Sequence, residues 1–211
     1  MDLGAGHVMK AFFYDWEGLN VWLFYVINNV HSDFIDRVML FGTALADRQY
    51  ISIYVGMVAF IAVWSIHSAK LGTTIAGQRE TRWLLVLSVL SIGFLVDSAL
   101  VIALKHVLAL PRPPLALPPG TVHIVGVGKL NHSFPSGHTV IATLIVGSLW
   151  PLLNRPGRAV AVVFVLWAAL SRISLGMHFP VDVLGGFVLS LIVVIIVRFF
   201  IARALRFSFS H

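Results

Sequence analysis

Five long apolar stretches dominate this chain, and they constrain its fold more than any other feature. An α-helix needs about 20 apolar residues to cross the hydrocarbon core of a bilayer. Backbone in that core must satisfy its own hydrogen bonds, which helices do within one segment. The sequence therefore predicts an all-α integral membrane protein. The stretches are Tyr50–His67, Trp83–Val107, Thr139–Leu153, Ala159–Leu175 and Val181–Ile201.

Two segments near the N-terminus are shorter and more polar. Phe34–Ala46 follows an acidic residue and is expected to be a short or oblique span. Leu19–Val30 mixes aromatic side chains with asparagines, a composition that suits a helix in the lipid headgroup region. We therefore expect about six transmembrane helices preceded by an interfacial helix, in one domain over residues 1–211. Residues 1–20 lack a basic region followed by an apolar core, so no cleavable signal peptide is expected there.

Composition excludes several classes of function. The chain is 58% hydrophobic and 11% charged, whereas soluble domains average about 25% charged residues. A soluble enzyme, a disordered chain and a nucleic-acid-binding domain are therefore excluded, despite the net charge of +6. The chain has no cysteine, which removes disulfides, thiolate metal sites and cysteine nucleophiles. Membrane lipids are the expected surroundings and partners.

The basic residues predict how the protein is oriented. If the five strong stretches alternate, one membrane face holds most of them, and the positive-inside rule assigns that face and both termini to the cytoplasm. In a bacterial inner membrane, the opposite face meets the periplasm or the cell exterior. The predicted cytoplasmic group is Lys70, Arg79, Arg82, Arg155, Arg158, Arg198, Arg203 and Arg206. The predicted outer group is Arg48, Lys105, Arg112, Lys129 and Arg172.

Three segments rich in polar residues lie at helix ends on the predicted outer face. Lys105–Pro113 closes the second stretch, Pro135–His138 precedes the third, and Ser171–Asp182 joins the fourth to the fifth. Alternation of the spans brings all three to one level of the membrane. The loop between residues 108 and 138 contains six prolines, so we expect a stiff, non-helical connection there.

Cations and a helix N-terminus in these segments are suited to phosphate. Lys105, Arg112 and Arg172 carry the positive charges, and each arginine can donate two hydrogen bonds to phosphate oxygens. Ser136 and Gly137 open a helix, where backbone N–H groups and the helix dipole favour an anion. The missing Cβ of Gly137 lets the backbone approach such an anion closely. These five residues are the predicted phosphate-binding set.

Two histidines and an aspartate supply the reactive groups. Asp182 follows His178 by four positions and is able to hold one imidazole nitrogen, which leaves the other as a nucleophile. His138 is then available to protonate the leaving oxygen. This set predicts phosphoryl transfer through a phosphohistidine. The segments predicted at the outer membrane face contain no carboxylate cluster that suits Mg²⁺, so neither a metal nor another cofactor is expected.

At these residues the chain resembles the type 2 phosphatidic acid phosphatase superfamily. The three-part pattern of that family is matched in order and spacing by Lys105 to Arg112-Pro113, by Pro135-Ser136-Gly137-His138, and by Ser171-Arg172 to His178 to Asp182. The resemblance implies that His178 is the nucleophile, Asp182 its orienting partner and His138 the acid/base. It implies phosphate binding by Lys105, Arg112, Ser136, Gly137 and Arg172. Among subfamilies, the chain is most similar to bacterial lipid phosphatases that act on undecaprenyl pyrophosphate or phosphatidylglycerol phosphate.

Several alternatives stay open at the level of sequence. The expected substrate is undecaprenyl pyrophosphate, with phosphatidylglycerol phosphate, phosphatidic acid and lipid A 1-phosphate as other lipid substrates. A membrane transporter that binds an anion is the alternative of another class. Asp97, inside a predicted span, has either a functional role or a hydrogen bond to a neighbouring helix. The roles of Lys129 and His132, in the proline-rich loop, are left undecided, and so is the oligomeric state.

Overall fold

The computed structural model describes residues 15–69, 75–126 and 130–208. Each predicted apolar segment forms a helix, and the N-terminal segment forms a further one. Within these residues the helices of ten or more residues are α1 (Leu19–Asn28), α2 (Asp33–Leu45), α3 (Ile51–Ala69), α4 (Ile75–Leu108), α5 (Gly137–Leu149), α6 (Arg155–Ser174) and α7 (Pro180–Ser208). Short 3₁₀ helices precede α1 and α3 and follow α5, at Trp16–Gly18, Arg48–Tyr50 and Trp150–Leu152.

Only some of these helices have the length and composition of a membrane span. In the described part of the chain, three segments are long and apolar enough to cross a bilayer, and Gly137–Leu152 is apolar but shorter. The protein therefore has membrane-spanning helices, while the count of six spans stays a prediction. The three long segments are Arg82–Ala116, Arg155–Ser174 and Pro180–Ala204.

Helix α5 is the centre of the bundle and packs against α4, α6 and α7. Its side chains Ile141, Leu144 and Ile145 are buried among valines and leucines of α4 and α7. Small residues bring the backbones close, as is common where helices pack in membranes. A Cβ on Gly93 of α4 would lie 2.6 Å from Leu144, and one on Gly147 would lie 3.0 Å from Val194 of α7. This packing fixes where the N-terminus of α5 points.

Helix α1 is held to the rest of the protein by the asparagines that suggested a headgroup location. Asn28 donates hydrogen bonds of 2.9 Å to the carbonyls of His123 and Ser174, and Asn20 accepts one of 3.0 Å from the N–H of Val181. Both asparagines are buried, whereas Trp22 is 59% exposed. The helix is therefore present with its polar face turned inward, and its interfacial location remains a prediction.

The loop between α4 and α5 is not wholly irregular. It contains one helical turn, Pro113–Ala116, which corrects the expectation of a non-helical connection. Pro113 takes the first helical position, where the N–H that proline lacks has no partner in any helix. The N–H of Arg112 then donates to the carbonyl of Leu130 at 2.8 Å, which folds the two ends of the loop together. This fold brings the side chain of Arg112 beside the start of α7.

Candidate active site

One cavity of about 550 Å³ collects most of the predicted site residues at a single end of the bundle. It lies between the C-terminal ends of α4 and α6 and the N-terminus of α5, as the alternation of the helices predicts. Six predicted residues line it, while Ser136 and Asp182 lie behind its wall. The six are Lys105, Arg112, Gly137, His138, Arg172 and His178.

His178 occupies the loop between α6 and α7 and is held from two sides. Its Nδ1 lies 3.4 Å from Oδ2 of Asp182, and its Nε2 lies 3.3 Å from Nη1 of Arg112. A guanidinium only donates hydrogen bonds, so this contact requires Nε2 to be the unprotonated nitrogen and Nδ1 to carry the proton. The lone pair of Nε2 is thus on the side of Arg112, which lines the cavity.

The environment of His178 keeps its imidazole neutral. Burial lowers the pKa of His178 to about 3, because a charged ring would lose its hydration. The hydrogen bond and charge of Asp182 act in the opposite direction, and the positive charges of Arg112 and Arg172 add to the lowering. A neutral imidazole is the form that acts as a nucleophile.

Asp182 is completely buried and its carboxylate is held by more than the histidine. Oδ2 accepts a hydrogen bond of 2.5 Å from the Ser133 hydroxyl and one of 2.8 Å from the N–H of Phe179. The Ser133 oxygen also lies 3.5 Å from Nδ1 of His178. These donors fix the carboxylate behind the ring, so the imidazole plane is set before any ligand arrives. Sequence reasoning missed Ser133.

Arg112 and Lys105 are anchored by backbone carbonyls of two loops, the one between α4 and α5 and the one between α6 and α7. Arg112 is 7% exposed, and it donates to the carbonyls of Asn131 at 3.1 Å and Met177 at 3.0 Å. The Lys105 ammonium donates to the carbonyl of His132 at 2.6 Å, and the His132 ring lies 2.7 Å from the carbonyl of Lys105. His132 therefore positions Lys105, which answers part of the open question about this loop; Lys129 lies outside the described residues.

Helix α2 and the turn after it complete the site with two residues that no motif indicated. Thr43 accepts a hydrogen bond of 2.7 Å from Nη1 of Arg172, and Oδ2 of Asp47 lies 3.7 Å from Nε2 of His138. The Nε of Arg172 is buried without a hydrogen-bond partner within the described part of the chain, and Arg172 lines the cavity. An anion in the cavity would satisfy such a donor, because buried polar groups are nearly always hydrogen-bonded.

Ser136 and Gly137 occupy different positions relative to the cavity. The N–H of Ser136 donates to the carbonyl of Asp182 at 2.9 Å, and its hydroxyl accepts from Thr139 at 3.1 Å. Ser136 therefore ties α5 to α7, and its contact with phosphate remains a prediction. Gly137 lines the cavity, and a Cβ there would meet no atom within 4 Å. Its place in the first turn of α5 leaves the N–H without an intrahelical acceptor.

Asp97 joins two helices and also borders the cavity. Its Oδ2 accepts a hydrogen bond of 2.7 Å from Ser190 of α7, so the helix-bridging interpretation holds. Its Oδ1 has no partner among the described residues, and the residue lines the deep part of the cavity. Within residues 15–69, 75–126 and 130–208, no group of three or more His, Cys, Asp or Glu has the arrangement of a metal site.

Comparisons with known proteins identify the family of this chain. The model of the PAP2 superfamily matches residues 82–206. The chain is 31% identical over 164 residues to undecaprenyl-diphosphatase BcrC of Bacillus subtilis, covering 77% of this chain and 73% of that protein.

Two solved structures share the fold. LpxE of Aquifex aeolicus superposes with a TM-score of 0.68 at 24% identity, over 85% of this chain and 94% of that one. A PAP2-type phosphatidylglycerolphosphate phosphatase of Bacillus subtilis gives a TM-score of 0.66 at 22% identity, over 93% and 92%. The family model and the 31% identical relative show that the chain belongs to the PAP2 superfamily, as an enzyme of the phosphatase class.

Proposed function

We propose that this protein removes the terminal phosphate of a membrane lipid, with undecaprenyl pyrophosphate as the first candidate substrate. The observation that carries the proposal is the buried imidazole of His178, whose Nε2 lies 3.3 Å from Nη1 of Arg112 on the cavity wall. The 31% identity to undecaprenyl-diphosphatase BcrC of Bacillus subtilis supports a pyrophosphate substrate. Phosphatidylglycerol phosphate, phosphatidic acid and lipid A 1-phosphate are the other lipid candidates.

The first chemical step forms a phosphohistidine. A terminal phosphate entering the cavity takes hydrogen bonds from Arg112 and from the unpartnered Nε of Arg172, which releases the lone pair of His178 Nε2. That nitrogen attacks phosphorus while the bond from phosphorus to the lipid-side oxygen breaks. His138 gives its proton to the leaving oxygen, and the carboxylate of Asp182 stabilises the positive charge on His178.

The second step regenerates the enzyme. His138, now neutral, takes a proton from a water molecule as the oxygen of that water attacks the phosphohistidine. The bond from nitrogen to phosphorus breaks, inorganic phosphate leaves, and His178 again has a proton only on Nδ1. Lys105, Arg112 and Arg172 neutralise the charge that a metal ion neutralises in other phosphatases. The proposed mechanism therefore requires no metal.

A lipid substrate at the outer face of a bacterial inner membrane is also part of the proposal. The site lies at helix ends, where headgroups are found, and Val101 and Ile102 of the long apolar helix α4 line one side of the cavity. The predicted cytoplasmic position of both termini follows from the positive-inside rule. An anion transporter is the weaker alternative, because a transporter binds its substrate near the middle of the membrane. Here the cations line a cavity at one end of the bundle, together with two histidines.

Phosphate release by the purified protein in detergent with EDTA tests the proposal. The panel consists of undecaprenyl pyrophosphate, phosphatidylglycerol phosphate, phosphatidic acid and glucose 6-phosphate. We expect release from a lipid substrate, loss of release in His178→Ala, and retention in His67→Ala, which removes an exposed histidine outside the cavity. Release that requires added metal, or that survives in His178→Ala, would contradict the mechanism.

A further inference from the structure

Arg48 lies on the wall of the catalytic cavity but has no part in the chemistry described above. It stands in the turn between α2 and α3, and its guanidinium is 5.3 Å from the ring centroid of Phe94 on α4. Arg48 directly follows Asp47, whose carboxylate lies 3.7 Å from Nε2 of His138. Arg48 therefore stands next to the partner of the histidine that is proposed to protonate the lipid-side leaving oxygen.

The electrostatics of the cavity leave Arg48 available for an anion. The two carboxylates on the same wall have other partners, since Asp47 is at ion-pair distance from His138 and Asp97 accepts from Ser190. Within the described residues, no carboxylate lies at ion-pair distance from Arg48, and its side chain is exposed. The ring of Phe94 offers the guanidinium a cation–π contact and no hydrogen-bond acceptor.

The cavity also extends beyond what one phosphate group requires. Its volume of about 550 Å³ falls in the range of sites for whole small molecules. Ser98, Val101 and Ile102 of α4 line the same cavity as His178 and Arg48. When the terminal phosphate contacts His178, the next group of the substrate therefore lies within this cavity.

We propose that Arg48 binds the lipid-side phosphate of a diphosphate substrate and so selects lipid diphosphates over lipid monophosphates. This inference rests on the proposed lipid phosphatase activity and adds the class of substrate to it. An arginine is suited to this contact because it donates two parallel hydrogen bonds to phosphate oxygens. Arg48 lies before residues 82–206, the range that the family model matches.

The test compares farnesyl diphosphate with farnesyl monophosphate, which have the same tail and differ only in the lipid-side phosphate. In Arg48→Gln we expect kcat/KM for the diphosphate to fall about tenfold or more relative to wild type, with the monophosphate changed by less than twofold. Arg158→Gln is the matched control, because Arg158 also lies over an aromatic ring, 5.1 Å from that of Trp150, but outside the cavity. This control is expected to change neither substrate.

The results of this comparison distinguish the proposed role of Arg48 from the proposed phosphatase activity. Equal losses for both substrates, or no loss for either, would overturn the role of Arg48 while leaving the phosphatase intact. If the wild-type protein hydrolyses neither substrate, the proposed function fails as well. Arg48→Lys keeps the charge without the planar fork, so it is expected to lose less of the diphosphate activity and serves if the glutamine variant does not fold.

Discussion

Replacement of Ser133 by alanine is the sharpest test of how the catalytic histidine is held. The Ser133 hydroxyl donates at 2.5 Å to the buried carboxylate of Asp182, and neither group is exposed to solvent. A hydrogen bond to a charged group contributes about 1.5–3 kcal/mol. If the whole of this contribution reaches the transition state, kcat falls about 10- to 150-fold, because each 1.36 kcal/mol is a factor of ten.

The assay is steady-state phosphate release from the best lipid substrate, with kcat and KM determined separately. Ser133 does not line the cavity, so KM is expected to change by less than kcat. Ser148→Ala is the matched control, since Ser148 is equally buried and its hydroxyl has no hydrogen-bond partner among the described residues. A folded Ser133→Ala protein with kcat within about twofold of wild type would refute the reasoning.

Three further predictions follow from the same site. Thr43→Val removes the acceptor that holds Arg172 at 2.7 Å, so KM is expected to rise by roughly tenfold in steady-state assays, with a smaller change in kcat. Asp47→Asn removes the charged partner of His138, so phosphate release is expected to slow roughly three- to tenfold. The slowing is expected to be larger for lipid monophosphates, whose leaving group is an alcohol, than for lipid diphosphates, whose leaving group is a phosphate. Since the pKa of His178 is lowered to about 3, ¹⁵N NMR of labelled protein is expected to show a neutral ring from pH 5 to 8. The unfolded chain binds this proton at pH values below about 6.5, so the free energy of unfolding should fall as pH decreases from there toward 3.

Matched variants and contrary outcomes exist for these predictions. Thr143→Val removes a buried hydroxyl that has no partner within the described residues, and Asp33→Asn removes an exposed charge from the same helix as Thr43. Both controls are expected to behave as wild type. An unchanged KM in Thr43→Val, or equal slowing of all substrates in Asp47→Asn, would contradict the positions assigned to these side chains. A His178 ring that titrates near pH 6.5 would contradict its burial.

The bundle and its motif residues were predictable because both depend on local sequence. Apolar length identifies helices, and alternation across a membrane places Lys105, His138 and Arg172 at one end, where the structure has them. The polar residues of α1 were harder to interpret, because an asparagine in an aromatic segment suits either a headgroup layer or a buried hydrogen bond. Asn20 and Asn28 make buried hydrogen bonds, and only the packing of α1 against α6 and α7 decides this.

The supporting residues of the site were not predictable, since their roles depend on contacts between distant segments. Thr43 meets Arg172 across 129 positions, and Ser133 meets Asp182 across 49. Neither residue has a spacing that marks it, and serine two positions before a proline is common in any loop. Ser136 is the opposite case. It lies inside a motif, but its N–H donates a hydrogen bond to the carbonyl of Asp182.

The central claim is that His178 forms a covalent bond with phosphorus during turnover. Rapid quenching in base of the purified protein with lipid substrate carrying ³²P in its terminal phosphate measures this directly. The account predicts a protein-bound label that is stable to base and labile to acid, located on the peptide containing His178, and absent in His178→Asn. Substrate hydrolysis without any such label, or a label that remains in His178→Asn, would contradict the account.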